Sequence, residues 1–512
     1  MLRHDYVDKA FGALMHSEIK RSIRTAARDG RARPVAPLVS LALLAPVLCG
    51  CILGSERPAL DLPIPGKYRE ASSAAPDAAV PSIDWWRGFR SSELTSLMEA
   101  AQTANLDIAV AYAQIVQADA QVGIAGAPLL PSITGAANAE RVRSAASSTG
   151  GTASPSFQFS QFSAGLTASY MLDFWGKNRA TLYASEENAT VARYNRDVVT
   201  LTTVVTVANT YFQILAAQDQ LRVTRRNLAA AERILDLIRK QFTGGTASQL
   251  DVSQQEALVA TQRAAIPPLE VTLRQNIAAL AVLIARAPAD FKVSGGTTTQ
   301  ITVPRITPGL PSELLYQRPD IRLAEAQLAS SNFSVEAARA AFFPQIQLTG
   351  QTGSQSAALA SLFGPGGWYY TLAASLTQPI FDGLLLENQL KQAKGVQLQY
   401  LQTYRKAVLS AFADVEKALV ALHQYTRQER LQAEVVAASR KAFDVAETQL
   451  RGGTVNLITV LQAQQTLFTA ENNLVLVRLT KLLAATSLFQ ALGGGWIPER
   501  ATALGAYRPS HL

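Results

Sequence analysis

The sequence predicts a mixed fold, in which long antiparallel α-helices continue into a small β-sheet and the whole arrangement occurs twice. Two proline-free segments rich in Ala, Leu, Gln and Arg, residues 177–242 and 384–450, are the first observation. At a rise of 1.5 Å per residue, either would form a helix roughly 100 Å long. Such helices predict either a long coiled coil or a wall of helices around a tube. Strand-like alternation and an internal repeat complete the pattern.

A Gly-Gly-Thr turn follows each long segment, at Gly244-Gly245-Thr246 and at Gly452-Gly453-Thr454. Glycine in the left-handed conformation ends a helix, and threonine can then cap the next one. So tight a turn predicts an antiparallel hairpin of two helices. The turns lack the Gly-Lys-Ser/Thr sequence of a phosphate-binding loop, so we interpret them as helix caps.

Half of the formal net charge of +8 lies in the first 50 residues of the 512-residue chain. Residues 1–50 contain eight basic and four acidic side chains, so the remainder carries only about +4. This is too small for an electrostatic nucleic-acid binder. The four histidines and two cysteines form no metal-binding cluster or C-x-x-C pair. We therefore expect no nucleic acid, no metal, no cofactor and no enzymatic activity.

The N-terminal region has the layout of a secretory signal peptide. Basic residues up to Arg33 precede an apolar run from Val35 to Leu48, which is too short to span a bilayer comfortably. The sequence Leu48-Cys49-Gly50-Cys51 resembles a lipobox. It predicts that Cys51 becomes the first residue of the mature protein and carries acyl chains such as palmitate. An ordinary signal peptide cut elsewhere is the alternative.

A tether is predicted after the lipidation site. Residues 52–82 are rich in Pro, Ala and Ser, which is typical of an extended segment with little structure of its own. The residue directly after Cys51 is Ile52 and not an aspartate. In lipoproteins of this kind, the absence of an aspartate at this position indicates release to the outer membrane. The basic region is long, so both Met1 and Met15 remain candidate start sites.

Two stretches show the period-2 alternation of strands. In residues 157–173, one face consists of Phe162, Ala164, Leu166, Ala168, Tyr170 and Leu172, and the opposite face is polar. In the second stretch, Tyr370, Leu372, Ala374 and Leu376 alternate with Thr371, Ser375 and Thr377. Shorter candidate strands begin at Pro131 and Pro344. A membrane β-barrel and a soluble sandwich both fit this alternation.

An internal repeat relates the two halves of the chain. Asp107 to Pro131 spans 24 positions, as does Asp320 to Pro344. A shift of 207 places the apolar stripe of one long helix on the other: Leu201, Val205, Ala208, Phe212 and Leu215 fall on Val408, Phe412, Val415, Leu419 and Leu422. This is heptad spacing. We also expect helices of about 104–128 and 246–287 to lie end to end beside residues 177–242.

Closure of the sheet predicts the assembly. Four strands per chain cannot close a barrel, and open edges are not tolerated in lipid. Three copies would supply twelve strands, an even number within the outer-membrane range. Closure, together with the family resemblance of the motifs described below, predicts an all-α barrel plus a transmembrane β-barrel in a homotrimer. Each chain contains two repeats of helix, strand, strand, long helix, hairpin and helix, and shares four strands in one twelve-stranded barrel.

The predicted organisation follows from these boundaries. It is a signal peptide (1–50), a lipid-anchored tether (51–82), helices of the first repeat (83–128), strands 1 and 2 (129–176), a helical hairpin (177–290), an inter-repeat linker (291–310), helices of the second repeat (311–342), strands 3 and 4 (343–383), a second helical hairpin (384–495) and a C-terminal tail (496–512).

Several sequence motifs resemble those of the outer membrane factors, the TolC-like exit channels, in the lipoprotein branch that serves resistance-nodulation-division pumps. They are Gly309-Leu310-Pro311-Ser312-Glu313-Leu314-Leu315, Arg318-Pro319-Asp320-Ile321, Ala338-Arg339-Ala340-Ala341-Phe342-Phe343-Pro344 and Leu492-Gly493-Gly494-Gly495-Trp496, together with the lipobox and Asn105-Leu106-Asp107-Ile108. The resemblance implies a passive exit duct for drugs or other small molecules. Its implied partners are outer-membrane lipid, a periplasmic adaptor and an inner-membrane transporter.

The resemblance also implies roles at the helical tips. The turns Gly244-Gly245-Thr246 and Gly452-Gly453-Thr454 would form the periplasmic rim and contact the adaptor. Ile458 and Gln462, four positions apart on one helix face, would form the gate, with Gln462 where related channels typically have an aspartate.

Two other functions remain open at the level of sequence. One is the exit channel of a type I protein-secretion system. The other is a lipid-anchored periplasmic scaffold that is coiled coil throughout and has no pore.

Overall fold

The structure is a computed structural model that describes residues 82–496, apart from 144, 146, 150, 151, 155, 306–308 and 310, together with Leu62, Pro65, Tyr68 and Arg69. All of these belong to one structural unit. The α-helices are α1 (Ser92–Ala104), α2 (Leu106–Gly126), α3 (Lys177–Thr243), α4 (Gln249–Ala264), α5 (Ile266–Leu283), α6 (Pro311–Gln317), α7 (Pro319–Ala340), α8 (Leu385–Arg451) and α9 (Leu457–Ala491). The strands are β1 (Ser132–Arg143), β2 (Ser147–Thr149), β3 (Thr152–Ser154), β4 (Gln158–Leu172), β5 (Gln345–Ser356) and β6 (Trp368–Thr377).

The two long helices match the sequence prediction. Helices α3 and α8 contain 67 residues each and end directly before the Gly-Gly pairs. Gly245 and Gly453 adopt left-handed φ values of 76° and 71°. The amide of the next residue, Thr246 or Thr454, then donates to a carbonyl oxygen five positions back, at 2.8 and 2.9 Å. This is the backbone pattern that closes a helix after a left-handed glycine.

The capping role predicted for the threonines is wrong. The hydroxyls of Thr246 and Thr454 donate backwards, to the same carbonyl oxygens as their amides, at 3.0 and 3.1 Å. The following helices are capped instead by Ser248, in a capping box with Asp251, and by Asn456. The threonine hydroxyls are occupied in closing the first helix, so a later residue must satisfy the amides of the second.

Shorter helices lie end to end beside α3, as the sequence predicts. Helices α2, α4 and α5 all contact α3. Asn105 caps α2, and its Nδ2 donates at 2.8 Å to the carbonyl oxygen of Leu283 at the end of α5. The single helix expected over 246–287 is divided at Ala265, because Pro267 and Pro268 lack the amides that would continue the hydrogen-bond ladder.

A second helix junction is built around Arg318. Its guanidinium donates from Nη1 to the carbonyl oxygen of Ala491 at the end of α9, at 3.2 Å, while Nε and Nη2 donate to Asp320 on α7 at 3.0 and 2.7 Å. Asp414 on α8 lies 3.3 Å from Nη2. Burial acts to lower the pKa of Arg318, but Asp320 and Asp414 outweigh it and hold that pKa above its ordinary value. The Arg-Pro-Asp-Ile motif therefore joins two helix ends to a third helix.

The apolar stripes of the long helices are buried, in two separate cores. The stripe of α3 packs around Phe89, Phe212 and Phe489, and the stripe of α8 packs around Val415. By length and hydropathy alone, α3 and α9 are apolar enough to cross a membrane, but 56% and 50% of the relevant windows are buried inside the protein. Internal packing accounts for this hydrophobicity.

Part of the predicted tether is packed against the helices. Tyr68 has only 2% of its surface exposed and lies in the core around Val415. The amide of Arg69 donates to Glu416 on α8 at 2.6 Å. The tether interpreted as having little structure of its own is therefore attached to the helical part at this point.

The sheet is antiparallel in the order β1-β4-β5-β6. It combines the four predicted strands, two from each half of the chain. A short hairpin, β2–β3, extends between β1 and β4 and was not predicted. Within the part of the chain that the structure describes, β1 and β6 are edge strands with one paired side each.

Candidate functional site

One face of the sheet is largely apolar, and all four strands contribute apolar side chains to it. Near the helices the register places apolar positions side by side, for example Ile133 beside Ala168, Tyr170 beside Leu348, and Leu348 beside Ala374. Farther from the helices, β5 places Thr352, Ser354 and Ser356 on this face, beside Leu166, Ala164 and Phe162 of β4. The opposite face is polar and lined largely by amides and hydroxyls, namely Thr134, Asn138, Gln161, Ser163, Thr167, Ser169, Gln347, Thr349, Gln351, Gln355, Thr371, Ser375 and Thr377. The alternation read along single strands thus places most apolar side chains on one face of the sheet and most polar side chains on the other.

The apolar face lacks the cover that a soluble sandwich requires. Leu372, Ile133 and Leu376 are 79%, 70% and 66% exposed. No second sheet packs on this face within the described residues. Exposed apolar side chains from four neighbouring strands indicate contact with lipid or another apolar partner. A soluble sandwich would cover this face with a second sheet, so that interpretation is wrong. The scaffold that is coiled coil throughout is also wrong, because the chain contains a four-stranded sheet.

Aromatic residues mark the end of the sheet that joins the helices. Trp175 stacks on Phe343 with ring centroids 4.7 Å apart, and its Nε1 donates to the carbonyl oxygen of Pro344 at 2.8 Å. At the opposite end, Trp368 and Tyr370 lie on the apolar face, 67% and 64% exposed. Tryptophan and tyrosine at both ends of an apolar band are typical of the two interfaces of a membrane.

The two Gly-Gly-Thr turns lie side by side at the other end of the helices. One apolar core combines Ile238 of α3, Val252 of α4, Leu450 of α8 and Leu457 of α9, the helices that enter and leave both turns. The six turn residues themselves, Gly244, Gly245, Thr246, Gly452, Gly453 and Thr454, are exposed. A Cβ atom added at Gly245 or Gly453 would meet nothing within 4 Å. The turns therefore form an open surface, whose contact with an adaptor stays a prediction.

The predicted gate residues share an exposed face of α9. Ile458 is 50% exposed and Gln462 is also exposed, whereas Leu457 and Val460 are buried against the other helices. The exposed face continues with Gln465, Thr466, Thr469 and Asn473, all uncharged. The described residues thus present a neutral amide and hydroxyl stripe along α9. Its position in a pore stays a prediction.

The charged side chains of α9, namely Glu471, Arg478 and Lys481, pair with side chains of neighbouring helices. Glu471 on α9 is 4% exposed and pairs with Arg226 of α3, at 2.7 Å, and with Arg440 of α8. Burial alone would raise the pKa of Glu429, but hydrogen bonds from Lys481 and Arg478 outweigh it and hold that pKa below its ordinary value. These pairs join neighbouring helices. Sequence reasoning missed them because partners on different helices leave no local pattern.

The remaining sequence predictions concern lipidation at Cys51 and metal binding. Cys51 lies outside the described residues. Within the described residues, no group of three or more His, Cys, Asp or Glu side chains is arranged to hold a metal ion.

A sheet with one uncovered apolar face, joined to long helices that end in exposed turns, defines a membrane channel protein with a helical extension. The chain belongs to the outer membrane efflux protein family, whose sequence model matches residues 97–286 and 310–494. The sequence-level resemblance is thereby confirmed. Members of this family are transport proteins of the outer membrane, and this chain is an outer-membrane efflux channel.

Known relatives cover nearly the whole chain. The pyoverdine export outer membrane protein OpmQ of Pseudomonas aeruginosa is 37% identical over 463 residues, 89% of this chain and 97% of OpmQ. The antibiotic efflux pump outer membrane protein ArpC of Pseudomonas putida is 32% identical, over 91% of this chain and 97% of ArpC. The open state of the Neisseria gonorrhoeae MtrE outer membrane channel superposes with a TM-score of 0.73 at 29% identity, covering 86% of this chain and 97% of MtrE.

Proposed function

We propose that three copies of this chain close a twelve-stranded barrel in the outer membrane, continued by a helical duct in the periplasm. This trimer would be the exit channel of a tripartite pump with a periplasmic adaptor and an inner-membrane transporter. The observation that carries the proposal is the open sheet, which has an exposed apolar face and two edge strands, β1 and β6. Each unpaired backbone group in lipid costs several kcal/mol, and closure with neighbouring copies satisfies them.

The cargo is proposed from the relatives. OpmQ is named for pyoverdine export and ArpC for antibiotic efflux. Both names refer to small molecules, which favours a small-molecule cargo over the protein cargo of a type I secretion system. The neutral stripe on α9 and the amide-rich face of the sheet suit a passive duct, because neither would hold a charged solute tightly.

The proposal is tested in a strain that lacks the gene. Complementation should restore drug resistance only while a cognate pump and adaptor are present, and the purified protein should migrate as a heat-modifiable trimer. A monomer that is unaffected by heating would contradict the barrel. The efflux role would be contradicted if the protein formed a stable trimer but drug susceptibility was the same with and without the gene. This comparison is repeated in strains with each neighbouring pump removed.

We predict that Cys51 carries acyl chains. Several chains together with a barrel give secure attachment, whereas a single chain anchors only marginally. Cys51→Ser is therefore expected to produce an unacylated protein that still inserts and conducts wherever the barrel forms. Mass spectrometry of the purified wild-type protein makes the check, and an unmodified Cys51 would count against the prediction.

We predict that Ile458 and Gln462 form the gate. Three glutamines on one axis would hydrogen-bond to each other, whereas three carboxylates would repel one another and would attract cations. In single-channel recordings, Ile458→Ala and Gln462→Ala should raise the open probability, and Gln462→Asp should increase cation selectivity. Gln428→Asp, an exposed position in the middle of α8, is the matched control. Unchanged conductance and selectivity in all three gate variants would locate the gate elsewhere.

A further inference from the structure

Two arginines occupy the apolar face of β1 at the end away from the helices. Along this face the residues are Ile133, Gly135, Ala137 and Ala139, and the next two are Arg141 and Arg143. Both side chains are exposed. Glu140 and Val142, which alternate with the two arginines, face the opposite side. A basic pair therefore continues the lipid-facing surface directly beyond the point where its apolar residues end.

The connections of the strands identify this end as the outer one. The helical part joins the sheet at Ser132 and Leu172, so Arg143 and its partner Gln158 lie at the far end. Phe162 pairs with Ala139 in the last apolar row, and Arg141 begins the next row, opposite Ser160. In the barrel proposed above, on which this inference rests, that row lies at the level of the outer-leaflet headgroups.

Gln158 orients the guanidinium of Arg141 but does not neutralise its charge. With the amide of Gln158 turned so that its oxygen faces the guanidinium, Oε1 accepts from Arg141 Nε at 2.7 Å and from Nη2 at 3.0 Å. An amide oxygen carries no net charge, so the guanidinium keeps its positive charge and its remaining donors. At the level of the headgroups an arginine is tolerated at little cost, and its positive charge is attracted to anionic groups there.

We propose that Arg141 and Arg143 bind the phosphate groups of the glycolipid that forms the outer leaflet, with one such site in each chain. A planar guanidinium matches two phosphate oxygens at once, and two arginines on alternate positions suit a headgroup with two phosphates. In the trimer, β6 of the next copy would lie beside β1. It would bring Trp368 and Tyr370, whose rings are 5.4 Å apart, near the same headgroup.

Native mass spectrometry of detergent-solubilised trimers tests this site, with diphosphoryl lipid A as the probe. The double variant Arg141→Gln/Arg143→Gln should bind lipid A on the order of 30-fold more weakly than wild type, which corresponds to about 1 kcal/mol for each arginine. The matched control is Arg427→Gln/Arg430→Gln on the exposed surface of α8, which removes the same charge and should bind as wild type does. Dephosphorylated lipid A should bind wild type as weakly as lipid A binds the double variant.

Two outcomes would overturn the site. Equal lipid A affinity in wild type and in Arg141→Gln/Arg143→Gln would show that the arginines do not bind it. Displacement of lipid A by inorganic phosphate would indicate a site for free anions and not for lipid. Conductance of the same trimers in planar bilayers distinguishes failure of this site from failure of the proposed barrel. Normal conductance together with equal lipid A affinity in wild type and the double variant rejects only this site. Wild-type protein that forms no conducting trimer rejects the proposed function.

Discussion

Replacement of Gly453 by phenylalanine is expected to abolish efflux while trimers persist in the outer membrane. A non-glycine residue at φ 71° costs about 1–2 kcal/mol, which a large assembly tolerates. A side chain at Gly453 would meet no atom of its own chain, so it would extend from the rim into the space proposed for the adaptor. The same reasoning applies to Gly245. Bulk at the tips would thus prevent the close backbone approach that glycine allows.

Drug susceptibility and trimer yield, measured together, check this prediction. Gly383→Phe is the matched control, because Gly383 also has a positive φ, 66°, and open space around its Cβ position, but it lies at the membrane end of α8. The control should retain most of its resistance. Normal resistance in both Gly245→Phe and Gly453→Phe would mean that the turns are helix caps without a contact role.

Arg318→Met is expected to destabilise the folded protein by about 1.5–3 kcal/mol, the range for hydrogen bonds to charged groups. Methionine retains the length of the side chain but removes every donor to Asp320, Asp414 and the carbonyl oxygen of Ala491. Both carboxylates are partly exposed and stay hydrated, which limits the loss. The ends of α7 and α9 would lose the group that joins them, and we expect fewer assembled trimers.

Thermal unfolding and trimer yield make the comparison, with Arg193→Met as the control. Arg193 pairs with Asp119 on the protein surface at 2.6 Å, where both side chains are about half exposed, so its loss should cost less than about 1 kcal/mol. A thermal midpoint for Arg318→Met equal to that of Arg193→Met would show that the junction contributes nothing to stability.

Local patterns were sufficient wherever the structure depends on neighbours in sequence. The absence of proline predicted the extent of α3 and α8, and Gly-Gly predicted where they end, because helix propagation and left-handed closure are local events. The alternation in β4 and β6 predicted which side chains share a face, since the strand period requires it. The motifs around Arg318 and Gly493 predicted the family before any contact was known.

The tertiary structure decided what depends on residues distant in sequence. Only the register across four strands and the exposure of Leu372 distinguish a lipid-facing sheet from half of a sandwich, because both have the same alternation. Burial of Tyr68 depends on a core formed by helices more than two hundred residues away, and no local pattern indicates it. Arg318 likewise finds Asp414 and Ala491 only after three helices have packed, since long-range contacts arise from packing and not from local propensity.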